Sequence, residues 1–378
     1  MSNFLQNLFK KPSESVVGID IGSSSIKVVQ LRKKKGRAIL ETYGELALGP
    51  YAGLIVGQVT NLPPEKIAEA ITDVLRESNV TSLSSGISIP FRSSLVSLIQ
   101  LPAVPEKQLQ EMIPLEARKY IPVPINEVTL DWWVVPGDSD PGLDFIESET
   151  DEQTTTKPVP KDIKKIDVLV VSIHNEVLNN YNKIVKASGL DTGFFEIEMF
   201  SATRALLTGE NTPIMIFDMG ASSTKMYILE RGVVKYSHII GKGSQDITVS
   251  ISKGMSQTFE RAEQIKRTLG TGVVPDEKNV FDIISLTLDY IFSEANSVLL
   301  NYQKKYNKAV GRVILTGGGV AMKGVLELAQ ANFQTEVMMG DPFAKVEAPA
   351  FLDDVLKTTG LEFAVAIGIA LRKLQELP

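Results

Sequence analysis

The feature of this 378-residue chain that most restricts its fold is a motif written twice. "GIDIGSSSIK" occupies residues 18–27 and "FDMGASSTK" residues 217–225, about half the chain apart. In each, apolar β-formers flank a Gly-Ser turn: "VVGIDI" and "IKVVQL" in the first, "PIMIFDMG" and "KMYILE" in the second. This is the pattern of a β-hairpin, not of a strand entering a helix. One glycine turn with surface serines is commonplace. Two that match in Asp, Gly, Ser and Lys imply two related lobes clamping one ligand.

The chemistry of the turns points to a polyphosphate. Successive backbone amides in such a turn can hydrogen-bond phosphate oxygens, each contributing ~1.5–3 kcal/mol when charge-assisted. The expected cradles are Gly22, Ser23, Ser24 and Ser25 in the first hairpin, and Gly220, Ser222, Ser223 and Thr224 in the second. Their side chains are small enough to let a phosphate approach the backbone. Asp20 and Asp218 stand two residues before the glycines, aimed at the same phosphates. Two carboxylates repel a polyphosphate unless a cation intervenes, and Mg2+ held through waters and phosphate oxygens would resolve the conflict. Lys27 and Lys225, seven residues after each Asp, return an ammonium group toward the phosphates. A third element, "TGGGVAMKG" at 316–324, offers Gly317, Gly318 and Gly319, where a flat nucleoside base could lie against the backbone, and Lys323 beside them. No G-x-x-x-x-G-K-[ST] is present, which excludes a P-loop site, and no G-x-G-x-x-G opens a helix after a strand, which weakens a dinucleotide reading.

Composition narrows the chemistry further. Hydrophobic residues at 43% and charged residues at 22% are enough for two ordinary cores. Without cysteine there is no thiolate zinc site, disulfide or cysteine nucleophile, and with only His174 and His238 a histidine metal site is excluded and a Ser-His pair disfavoured. A net charge of -6 and a pI near 5.3 argue against nucleic acid as a partner. The basic run "LRKKKGR", residues 31–37, reads as a solvated hairpin tip. No stretch approaches the roughly 18–20 apolar residues of a membrane span, so a soluble protein is expected. The start, "MSNFLQNLFKK", puts Phe4, Leu5, Leu8 and Phe9 on one helical face beside Lys10 and Lys11. That face is short for a membrane anchor and is expected to pack on the protein's own body or fray. It also lacks the long apolar stretch and cleavage site of an export signal.

Along the chain, strands are expected at 16–31 (the first hairpin), 38–48 and 54–60, and a helix over 63–79 opened by Pro63 and Pro64. Residues 91–173 read as an inserted subdomain containing a helix at 105–119, and 137–165 as a mobile acidic-then-basic loop between two paired strands. Helices follow at 174–188 and 200–208, then the second hairpin with "VVKYSHII" as third strand. Helices are expected at 244–269 and 278–307, a strand and glycine turn over 312–320, and an all-round apolar helix at 361–374, sandwiched between layers.

Taken in order, these motifs resemble the actin-like ATPase superfamily: two phosphate hairpins, "ILTGGGVAMKGV" as adenosine motif and "EFAVAIGIAL" as returning helix. Within it the chain is similar to the PilM family of type IV pilus assembly proteins, relatives of the division protein FtsA, through "EARKYIPVPINEVTLDWWVV", "GKGSQDITVSI" and "AEQIKRTLG". The resemblance implies an α/β, two-lobed actin-like (RNase H-like, duplicated) fold, with a lobe I core of 1–90, 174–208 and 361–378, a partner-binding insert at 91–173, and lobe II at 209–360. It implies ATP and Mg2+ as cofactors, with Gly241, Gly243, Glu263 and Lys266 joining the nucleotide site, the last two at the ribose or base. Hydrolysis is less secure than binding: in "FFEIEMFSATRAL" either Glu196 or Glu198 stands where such hydrolases orient water, and no glutamine is there. The implied role is cytoplasmic, peripheral to the inner membrane through the N-terminal tail of a PilN-like membrane protein. Self-association remains open. FtsA-like proteins continue into a membrane anchor, whereas this chain stops at Pro378, which favours the pilus reading. An FtsA-like filament scaffold, a small-molecule kinase with Asp218 as base, and a module that has lost its nucleotide are the competing readings. Adjacent Trp132 and Trp133 face opposite sides of a strand, so one is expected in a core and the other outside.

Overall fold

The computed structural model describes residues 15–135, 165–269 and 276–377. These form two compact units, one within Met1–Phe91 and Tyr181–Pro378, the other within Arg92–Asn180. In chain order the larger unit opens with β1 (Ser15–Ile21), β2 (Ser25–Lys34), β3 (Arg37–Ala47), α1 (Pro64–Glu77) and β4 (Ser84–Ile89). The smaller unit holds β5 (Ser94–Pro102), α2 (Glu106–Ala117), β6 (Val128–Val135), β7 (Lys165–His174) and the start of α3 (Asn175–Ser188). The larger unit resumes with β8 (Asp191–Ile197), α4 (Glu198–Leu206), β9 (Ile214–Met219), β10 (Thr224–Glu230), β11 (Val233–Ile240), α5 (Ser244–Gly254), α6 (Phe259–Thr268) and α7 (Glu277–Tyr306). It ends with β12 (Arg312–Thr316), α8 (Val325–Asn332), β13 (Glu336–Met339), β14 (Val346–Glu347), α9 (Asp353–Thr359) and α10 (Ala364–Gln375).

The repeated motif is matched by a repeated sheet. One sheet runs β14-β3-β2-β1-β4-β8 and the other β11-β10-β9-β12-β13. In each, the hairpin and its third strand are antiparallel, and two parallel strands then add beside the first strand, β4 and β8 to β1, β12 and β13 to β9. Val16, Val17 and Ile19 of β1 and Met215, Ile216 and Phe217 of β9 are fully buried, as strands covered on both faces must be. Helix α10 packs on α4 and on β1, β2 and β4, which accounts for its all-round apolar sequence. Residues 346–347, within the span read as lobe II, instead add an edge strand to the first sheet beside Ala38 and Ile39.

Three sequence expectations are corrected. Residues 54–60 form no strand, because Gly53 and Gly57, at φ 68 and 91, turn the backbone out of the extended region. The helix expected over 244–269 is two helices, α5 and α6, separated at Ser256 with φ 53 and restarted by Thr258, whose hydroxyl caps the Arg261 N–H. Among the described residues α7 is long enough, at 30 residues and mean hydropathy 1.3, to cross a membrane. Its Val280, Ile284, Leu288, Ile291, Phe292, Ala295, Val298 and Tyr302, however, lie buried in the core over the second sheet, with Phe292 against Phe217 and Phe333. That buried face serves the core, while Leu286 and Leu300 on the same helix are exposed.

In the smaller unit β5, β7 and β6 make an antiparallel sheet with α2 on one face, around Ile99, Leu109, Ile113 and Val170. Trp132 packs against this core and Trp133, on the other face, is 51% exposed. The strands that bracket the proposed 137–165 loop do pair, while residues 136–164 and the start at 1–14 lie outside the described residues.

Candidate functional site

Each hairpin turn closes the same way. The Gly22 N–H donates to the Ser25 carbonyl and the Gly220 N–H to the Ser223 carbonyl, both at 3.0 Å. The turn carbonyls are then tied by neighbouring backbone: Ser23 and Ser24 accept from Thr60 (2.8 Å) and Leu48 (2.8 Å), Gly220 and Ala221 from Ser244 (2.9 Å) and Gln245 (3.0 Å). A trans peptide points its N–H opposite to its C=O. The amides of Ser24, Ala221 and Ser222 are therefore turned away from those anchors, and all three residues line one cleft of about 480 Å³. That volume lies in the range of small-molecule sites, roughly 300–1,000 Å³.

Gly22, Ser23, Ser24, Ser25, Lys27, Gly220, Ser222, Ser223 and Lys225 line this cleft, with Asp20, Asp218 and Glu198. Register places Asp20 opposite Lys27 and Asp218 opposite Lys225. Asp20 accepts from the Ser88 hydroxyl at 2.7 Å. Burial first, then the charge of Glu198, pushes Asp20 up to about 6, against the pull of Lys27, Ser88 and Lys225. Asp218 is likewise raised by burial, which outweighs Lys225 at 3.4 Å, and Glu198 raises it further. Glu198 opens α4; its carboxylate accepts from the Phe91 N–H at 2.6 Å and from Lys225 Nζ at 2.7 Å. Burial alone would lower Lys225, but Asp218, Glu198 and Asp20 together hold it above its ordinary value. Three carboxylates thus share buried space with two ammonium groups, a charge set that invites a further cation.

The alternative water-orienting residue, Glu196, has a different task. It accepts two bonds from Arg204, both 2.7 Å, one from Ser201 and one from Arg372 at 2.7 Å, joining β8, α4 and α10. All its capacity goes to that network and it does not line the cleft.

Also lining the cleft, Glu263 and Lys266 are 2.7 Å apart on α6. Glu263 also accepts from Thr248 and Arg267, each at 2.7 Å, and these partners outweigh burial to hold its carboxyl low. Burial holds Lys266 below the usual lysine range despite Glu263. Gly317, Gly318, Gly319 and Lys323 line the same space. Gly317 sits at φ 89, with Asp218 Oδ1 only 2.5 Å from where a Cβ would project.

Three expected residues lie elsewhere. Thr224 is fully buried and donates to the Lys242 carbonyl at 2.8 Å, so it fixes the turn from behind. Gly241 does not reach the cleft, and Gly243 lies beneath the second turn, where a Cβ would fall 2.5 Å from the Ala221 carbonyl oxygen. Gly243 thereby lets the start of α5 hold the turn carbonyls. The sequence reading did not foresee Glu45 and Glu362, which meet Lys27 at 3.0 and 3.5 Å and keep its ammonium charged although burial opposes it. Nor did it foresee the strap at 53–60. Gly57 presses on Glu263, the Val59 N–H donates to Gln245 Oε1 at 2.6 Å, and the Thr60 N–H to the first turn. A Cβ at Gly57 would stand 2.9 Å from the Glu263 carboxyl carbon in a backbone region disfavoured for side chains. Gly57→Val should cost ~1–3 kcal/mol in urea denaturation, and an unchanged midpoint would show that the strap is not held there.

The family model described as "Type IV pilus assembly protein PilM" matches residues 18–144 and 150–374. The chain belongs to the PilM family. Among curated proteins, it is 23% identical to the cell division protein FtsA of Bacillus subtilis (strain 168) over 377 residues, covering 91% of this chain and 82% of that protein. It is 24% identical to FtsA of Neisseria meningitidis serogroup B, covering 86% and 82%. Among solved structures, a chain of the "PilM-PilN type IV pilus biogenesis complex" superposes with a TM-score of 0.78 at 22% identity, covering 96% of this chain and 99% of that one. The ethanolamine utilization protein EutJ from Carboxydothermus hydrogenoformans gives 0.54 at 14% identity, covering 96% and 90%. The fold of this PilM-family chain is the two-lobed actin-like fold.

Proposed function

We propose that this PilM-family protein binds ATP with Mg2+ in the cleft between its two hairpins and, in that state, holds the cytosolic N-terminal tail of a PilN-like membrane protein, so that it works in the cytoplasm against the inner membrane. The observation that carries the nucleotide reading is the convergence of both Gly-Ser turns, with Asp20 and Asp218, on one cleft. The donor set fits the metal. Asp218 is a buried and Asp20 a half-buried carboxylate, both raised first by desolvation, with Glu198 adding to it against the pull of Lys27 and Lys225. Among the described residues no three acidic or imidazole groups are placed to grip a metal alone. Mg2+ would draw its remaining ligands from water and phosphate, and when bound it would screen the phosphates from these carboxylates. The turn amides would hold the phosphates, and Lys27 and Lys225 would face them. Glu263, Lys266 and the 317–319 glycines would take the nucleoside.

Glu198 stands beside both aspartates but is already bonded to Phe91 and Lys225. We therefore read the site as a nucleotide-responsive clamp with slow turnover at most. We read the lobes as 1–90, 174–208 and 361–378 for the first and 209–360 for the second, except that the strand at 346–347 joins the first sheet, with 91–173 as the partner-binding insert. Support for a PilN-like partner comes from the solved PilM-PilN complex, one chain of which shares the fold of this protein. The extended tail would be held by backbone bonds and side-chain pockets.

Titration calorimetry is the test. ATP should bind with Mg2+ and at least about tenfold more weakly after chelation, and a peptide of the PilN-like tail should bind the ATP-loaded protein. Absence of ATP binding sinks the site; absence of peptide binding sinks only the partner. The similarity to FtsA along most of the chain favours a filament scaffold as second reading, marked by ATP-dependent sedimentation.

A further inference from the structure

We propose that Gln245 is a positioning residue of the nucleotide cleft, acting through the strap at 53–60 to fix the spacing of the two phosphate turns. The proposal rests on the nucleotide reading of that cleft. The Val59 N–H donates to Gln245 Oε1 at 2.6 Å, and the next amide along, that of Thr60, donates to the Ser23 carbonyl at 2.8 Å. The N–H of Gln245 itself donates to the Ala221 carbonyl at 3.0 Å. Three hydrogen bonds thus connect the first turn to the second through Thr60, Val59 and Gln245, none of which lines the cleft.

The bridge ends on the two peptides that matter for phosphate. The peptide that shows the Ser23 carbonyl to Thr60 points the Ser24 N–H the opposite way, and the one that shows the Ala221 carbonyl to Gln245 does the same with the Ser222 N–H. Ser24 and Ser222 both line the cleft. One donor from each hairpin is therefore held in place by the same bridge. Donors fixed before the ligand arrives lose less freedom when it binds, and the saving appears as affinity.

The two ends of the bridge differ in how firmly they are rooted. Gln245 is the second residue of α5, whose first amides have no acceptor within the helix and are spent on the Gly220 and Ala221 carbonyls. The strap has less to hold it. Leu54, Ile55 and Val56 at its apex are 42%, 38% and 45% exposed, so they bury little apolar surface, and Gly53 and Gly57 flank them at φ 68 and 91. The apex closes on itself: the Leu54 N–H donates to the Gly49 carbonyl at 2.8 Å, the Ile55 N–H to Gln58 Oε1 at 2.9 Å, and the Gln58 N–H to the Ile55 carbonyl at 3.2 Å. A segment held by hydrogen bonds more than by burial opens at low cost, so losing the bond to Gln245 should release it. Coupling is reciprocal. If the closed strap favours nucleotide, nucleotide favours the closed strap by the same factor.

Gln245→Met keeps the length of the side chain and removes the acceptor. In titration calorimetry it should bind ATP with Mg2+ about fivefold more weakly than wild type, within the worth of one hydrogen bond. Amide hydrogen exchange gives the readout that a merely structural role would not move. ATP with Mg2+ should slow the Val59 and Thr60 amides about fivefold in wild type and leave them unchanged in Gln245→Met. In the empty protein Gln245→Met should exchange these amides about fivefold faster than wild type, whereas Gln245→Glu, which keeps an acceptor oxygen, should match wild type. Wild-type affinity in Gln245→Met overturns the proposal, and so does ATP binding that leaves the exchange of the strap untouched. Wild-type protein that binds no ATP overturns the reading of the cleft, and this proposal with it.

Discussion

Asp20→Asn should stabilise the empty protein at pH 7.5 by up to about 3 kcal/mol while weakening Mg2+-dependent ATP binding at least tenfold. The stability gain follows from the folded pKa of about 6 against an ordinary value of 3.8, a difference of about two units at roughly 1.4 kcal/mol each. A carboxyl whose folded pKa is raised binds more protons folded than unfolded between these values. Stability contributed by the wild-type group is therefore present near pH 4 and lost as pH rises through about 6. Asparagine keeps an acceptor for the Ser88 hydroxyl and carries no charge at any pH. The gap between variant and wild type should be small near pH 4, widen as pH rises toward 6 and stay at its full value above it, as read by urea denaturation across that range. Calorimetry on the same variant reports binding. A variant less stable than wild type at pH 7.5 would mean that Asp20 is compensated within the empty site; full Mg2+-dependent affinity would remove it from the metal's surroundings.

That conflict between stability and binding was legible in the sequence only in outline. The repeated Asp-x-Gly-x-Ser-Ser-x-Lys pattern announces both turns, and strand register then puts each Lys opposite its Asp. The apolar run at 361–374 announced a helix packed on several sides. These features are local: a turn, a period and a composition are set by neighbours in sequence. What escaped depends on long-range placement. Glu45 becomes a partner of Lys27 only through the β2–β3 register, and Glu362 only through the arrival of α10 beside the first hairpin. Glu196 and Glu198 look interchangeable two residues apart. The strand end turns one toward Arg204 and Arg372 and the other, opening α4, toward Lys225. Gly243 reads as a ligand glycine in "GKGS", yet what demands it is the turn carbonyls packed against its α-carbon.

Lys225→Met should be the most damaging single change in the cleft, costing ~3–5 kcal/mol at pH 7.5, because it removes the ammonium that both Glu198 and Asp218 face and leaves two buried charges without that counter-charge. Methionine keeps the length of the stem, so the loss is electrostatic and not a cavity. The sign of the pH dependence follows. Without Lys225 the Asp218 carboxyl, already raised by burial, rises further, and the stability contributed by its protonated form is lost as pH rises through that value. The difference from wild type should therefore be largest at pH 7.5 and shrink at pH 5. Replacing Asp218 by Asn in the same protein should recover part of the loss, since it deletes one of the stranded charges, and a double-mutant cycle on urea midpoints measures that recovery. A loss equal at both pH values, with no recovery from Asp218→Asn, would mean that Lys225 holds the hairpin by packing. The cleft would then lack the excess negative charge that the case for a bound cation requires.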